Sequence, residues 1–124
     1  MLYNRAGNVI AMTDTSGDKP MTRQERAEAR TARRNMIALE AACAVAHDEG
    51  LNALTRDKVA RRAALASGSV TAAFGDMLGL RDAVMREAVA RPILSVLAQG
   101  LAARDAIACA APADLRLAAL ATVS

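Results

Sequence analysis

From Met36 onward, apolar side chains return every three or four positions. Met36, Leu39, Cys43 and Ala46, with Ala42 beside them, are spaced as one face of a helix. The face stops at Asp48-Glu49-Gly50, and Gly50 suits the residue just past a helix end. Upstream, Thr22 to Asn35 is polar all round, which predicts a solvated helical extension. Thr22 and Glu25 stand three apart, the spacing of a capping box. Residues 1–21 are polar, with Gly7, Gly17 and Pro20, and are expected to be a flexible tail.

Past Gly50 the pattern shortens. Leu51 to Leu54 reads as a connector, and Thr55 is the expected N-cap of a second helix through "RDKVARRAAL". A Gly-Ser-rich corner follows, then a third helix from Ser67 to about Phe74. Gly75-Asp76 breaks the chain again. A fourth helix is predicted from about Met77 to Ala90, with Leu80, Val84 and Ala88 on one face. Pro92 marks the next boundary. A fifth helix is predicted from about Ile93 to Cys109, and a short sixth one with Pro112 as its first residue.

Composition agrees with helices throughout. Alanine, the best helix former, supplies 31 of the 124 residues, so an all-α fold with a thin core is expected. Tyr3 and Phe74 are the two aromatic residues, which leaves Leu, Val, Ile, Met and Ala to build that core. A thin core in a short chain favours oligomerisation. Two cysteines, Cys43 and Cys109, do not make a disulfide framework and read as reduced thiols of a cytoplasmic protein. No signal peptide stands out, and the longest apolar run falls short of the roughly 20 residues that span a bilayer. No membrane association is therefore expected. Cys43 and His47 stand one turn apart, but two ligands are too few for a structural metal site. No nucleophile–base pair, phosphate loop or grouped carboxylates suggest an enzyme. No cofactor is implied.

Charge adds position to this picture. The formal net charge is +3, and the excess lies in the first half. Arg23, Arg26, Arg30, Arg33 and Arg34 face Glu25 and Glu28, while Arg56, Lys58, Arg61 and Arg62 face Asp57. The first run reads either as a solvated helix face or as a nucleic-acid arm. The second leads straight into the corner "SGS" at Ser67-Gly68-Ser69. Two short helices joined by a tight turn make a helix-turn-helix, whose first helix can reach DNA phosphates while its second enters the major groove. Small residues at the start of that second helix allow close approach.

Between Met36 and Val84 the sequence resembles the DNA-binding domain of the tetracycline-repressor (TetR) family. Gly50 matches the glycine closing the family's first helix. Thr55, Val59, Ala60 and Ala63 match the second helix. Leu65, Gly68, Val70 and Phe74 match the third, and "GLRDAVMREAV" matches the fourth. The spacing is kept without a gap. Several positions depart from the family pattern: the turn glycine is Ala64, the third-helix capping serine is Ala66, with the capping role expected to pass to Ser67, and the phosphate-touching tyrosine is Thr71. The histidine-type positions are Ala72 and Ala73, and the fourth-helix lysine is Met77, with Arg81 one turn on.

The resemblance implies a three-helix, homeodomain-like helix-turn-helix domain followed by two or three short helices. The domain is expected over residues 22–90, with a short C-terminal helical dimerisation segment over 91–124. It implies a sequence-specific transcriptional regulator, expected to be a repressor that binds double-stranded DNA as a homodimer. Expected DNA-binding residues are Arg33, Arg34, Arg56, Arg61, Arg62, Ser67, Gly68, Ser69, Thr71 and Arg81. Leu94, Leu97 and Leu101 form the expected dimer seam. The family's effector pocket is not carried over, because the short segment after helix four is too small to enclose one. The alternative reading is a helical protein–protein interaction module that keeps the fold without the DNA contacts.

Overall fold

A computed structural model describes residues 21–123, all of whose regular elements are helical. By contact density the chain divides into two units, Met1–Ala32 and Arg33–Ser124. The first helix, α1 (Arg23–Glu49), starts in the first unit and ends in the second. At its start Thr22 and Glu25 close the expected capping box. The Thr22 amide donates to Glu25 Oε1 at 2.8 Å and the Glu25 amide to Thr22 Oγ1 at 3.1 Å. Arg26 turns back to donate to the Met21 carbonyl.

In the second unit α1 buries Ala38, Ala41, Ala42, Cys43, Val45 and Ala46. This corrects the expected face at its leading end, where Met36 is 64% exposed. The buried stripe is set by Ala and Val, which allow close packing, rather than by the larger Met36. Gly50 ends α1 with φ 102 and ψ 153, a backbone conformation that L side chains rarely adopt. A short 3₁₀ turn, Leu51–Ala53, fills the expected connector and buries Leu51.

Next come α2 (Arg56–Ala63), α3 (Ser67–Phe74) and α4 (Met77–Ala90). Their buried faces meet in one core: Val59 and Ala60 from α2, Val70 from α3, and Leu80, Val84, Met85 and Ala88 from α4. Asp76 caps α4 by accepting from the Gly79 amide at 2.9 Å. At Gly79 a Cβ would stand 2.1 Å from the Phe74 carbonyl oxygen, so the α3–α4 junction requires glycine there.

Beyond Pro92 the single expected helix is two: α5 (Leu94–Ala102) and α6 (Ala106–Cys109). The break lies at Arg104, with φ 58, and Asp105 starts α6 by accepting from the amides of Ile107 and Ala108. A side-chain cap thus overrides the alanine-rich propensity around it. The last helix, α7 (Ala113–Ala121), begins one residue after Pro112, which occupies the N-cap. The expected seam is also corrected. Leu97 is fully buried within the chain, and Leu94 and Leu101 are half-buried against the same core. Among the described residues no helix is long and apolar enough to cross a membrane.

Candidate nucleic-acid interface

The corner between α2 and α3 is built from local rules. Thr55 caps α2 as expected, accepting from the Lys58 amide at 3.2 Å. Val59 and Ala60 anchor α2 in the core, and Val70 anchors α3. Between them Ala64 closes α2 in the left-handed conformation, φ 58 and ψ 43, while the Leu65 amide bonds back to the Ala60 carbonyl at 2.9 Å. Ala64 is thus an alanine in a conformation that glycine adopts at less cost.

Ala66 is the N-cap of α3 and offers no side-chain cap. The capping role expected for Ser67 is not taken up: its hydroxyl donates instead to Asp57 Oδ1 on α2 at 3.2 Å. The start of α3 therefore lies open. Ser67 and Gly68 are exposed, and nothing stands within 4 Å of where a Gly68 side chain would begin. Ser69 and Thr71 are half-buried, and Ala72 is exposed.

The charged side chains of α2 divide between its two neighbours. Lys58 Nζ pairs with Glu49 at 2.7 Å, and Arg62 with Asp48 at 2.9 Å, both at the C-terminal end of α1. Hydrogen bonds from His47 and from Arg62 hold the Asp48 carboxyl below its usual range. On the other flank, Arg56 Nη1 donates to Thr71 Oγ1 at 2.9 Å, and Asp57 accepts from Ser67. Arg61 is exposed, and its side chain makes no ion pair or hydrogen bond among the described residues. The same holds for exposed Arg33 and Arg34 on α1 and for half-buried Arg81 on α4.

The expected site residues thus fall into a corner group, Arg56, Arg61, Ser67, Gly68, Ser69 and Thr71, and separate cations on α1 and α4. Arg62 is occupied by Asp48, a pairing between α2 and the end of α1 that no local motif signals. Sequence reasoning also missed Asp57, whose carboxylate reaches the start of α3.

Two other features were open in the sequence. Cys43 is buried, and burial, followed by the nearby Glu87 carboxylate, raises its thiol pKa. His47 is exposed beside Asp48. Among the described residues no group of three His, Cys, Asp or Glu side chains is placed to hold a metal ion. An apolar depression of about 400 Å³, open to solvent, lies along Val89, Ile107 and Pro112, with Arg86 at its edge.

A capped helix, a left-handed turn and a second helix with an open N-terminal end together make a helix-turn-helix. Residues 38–84 match the family model of bacterial regulatory proteins, tetR family. This stretch is therefore a tetR-family domain, and with it the chain carries the DNA-binding module of a transcription-regulator family. No curated protein and no solved structure matches the chain.

Proposed function

We propose that the protein is a sequence-specific transcriptional repressor that docks α3 in the major groove of duplex DNA as a homodimer, without a small-molecule effector. The observation that carries the reading is the open start of α3, where Gly68 has no neighbour and small side chains line the approach. A groove-entering helix needs that clearance. Arg33, Arg34 and Arg61 are unpaired among the described residues and are available to phosphates.

The experiment is a titration of duplex DNA over a range of salt. Affinity should fall linearly on a log–log plot, as counterion release requires. Replacing Arg33, Arg34 and Arg61 together by Ala should weaken binding to every duplex and flatten the slope by roughly 0.9 per lost phosphate contact. An unchanged slope would leave these arginines as a solvated face. No duplex binding at low salt would favour the protein–protein interaction module.

A further inference from the structure

Within this proposed DNA-docking domain, one long cationic side chain is tied to the reading helix itself. Arg56 opens α2, yet its side chain crosses to α3, where Nη1 donates to Thr71 Oγ1 at 2.9 Å. The Thr71 hydroxyl donates in turn to the Ser67 carbonyl at 3.3 Å. The hydroxyl proton is thereby directed along α3, and the oxygen lone pairs are left for the guanidinium. Arg56 remains exposed. One of its five N–H donors is used by Thr71, and the others are left for a ligand.

No other cation of α2 is fixed against α3: exposed Arg61 makes no side-chain hydrogen bond or ion pair among the described residues. Lys58 and Arg62 are drawn to Glu49 and Asp48 on α1. The helix α3 runs Ser-Gly-Ser-Val-Thr-Ala-Ala-Phe and has no long polar side chain. Base edges are read best by bidentate groups, and the planar fork of arginine fits O6 and N7 of guanine. A phosphate contact needs only a nearby charge, whereas base reading needs a fixed fork, and the Thr71 bond supplies that fixation. Asp57, beside Ser67, adds a negative charge at the same corner, which disfavours a phosphate there.

We propose that Arg56, held against α3 by Thr71, is the specificity-determining side chain and reads a guanine in the major groove. Recognition then comes from an α2 side chain lying along α3, while α3 provides clearance. The proposal rests on the DNA-docking reading above.

The test uses the full chain. A duplex selected from a random pool by the wild type is compared with single-base variants at each guanine and with a scrambled duplex, at several salt concentrations. Arg56→Ala should lower affinity for the selected duplex by about 5- to 150-fold. It should erase the guanine preference at one position and leave scrambled binding and its salt slope unchanged. Thr71→Val should weaken the preference at that same position, and Thr71→Ser should restore it, with circular dichroism confirming the fold of each variant. An equal loss on all duplexes, with the slope falling by roughly 0.9, would make Arg56 a phosphate ligand and overturn the proposal. An unchanged guanine preference in Arg56→Ala would also overturn it while leaving the docking reading intact. A wild-type chain that binds no duplex would overturn the docking reading, and this proposal with it.

Discussion

At Ala64 the backbone sits at φ 58 and ψ 43, a conformation that costs an alanine roughly 1–2 kcal/mol and glycine almost nothing. The turn between α2 and α3 needs it all the same, because the Leu65 amide reaches back to Ala60 only through that kink. Ala64→Gly should therefore stabilise the protein by about 1 kcal/mol and raise the melting temperature by several degrees, read by thermal denaturation. An unchanged or lower melting temperature would mean that the turn carries no strain. At this scale the sequence was legible where a motif is local. Thr22 with Glu25, and Thr55 before α2, cap as their spacing indicates. It was not legible where a side chain had a choice of partners. Ser67 stands where a cap is wanted, yet its hydroxyl goes to Asp57, ten residues earlier in the chain.

Helix bounds from Thr55 to Ala90 were readable because polar caps and glycines punctuate that stretch. The region after Pro92 was not, because a run of Ala and Leu looks equally helical on either side of Arg104 and Asp105. The contact that ties the two regions together was invisible in sequence. Gln99 on α5 accepts from the Leu51 amide and donates to the Ala46 carbonyl at the end of α1, about fifty residues away. The Ala46 carbonyl also accepts from the Gly50 amide, so loss of Gln99 orphans the Leu51 N–H rather than the carbonyl. Leu51 is buried, and an unsatisfied buried donor costs about 1–3 kcal/mol. Gln99→Ala should lower stability by that amount and speed hydrogen exchange at the Leu51 amide. Exchange as slow as in the wild type would show that another acceptor takes over.

For the molecule as a whole, Leu97 is spent on the core, and the larger apolar side chains left outside include Met36 on α1, Leu78 on α4 and two near the end of α7. Leu117 on α7 is 68% exposed and Val123 just beyond it 71%. A homodimer built on this end of the chain would cover them, and two copies would present two α3 helices to successive turns of DNA. Light scattering at micromolar concentration should report a dimer, and Leu117→Asp should shift it to monomer. A monomeric wild type would contradict the dimer. The account as a whole turns on whether the open start of α3 is the surface that meets DNA. Gly68→Leu tests this most directly, since nothing beyond the local helix lies within 4 Å of where its Cβ would stand. With the helical spectrum and melting temperature unchanged, the variant should lose binding to selected and scrambled duplexes alike. Wild-type affinity for both duplexes would show that α3 does not enter the groove.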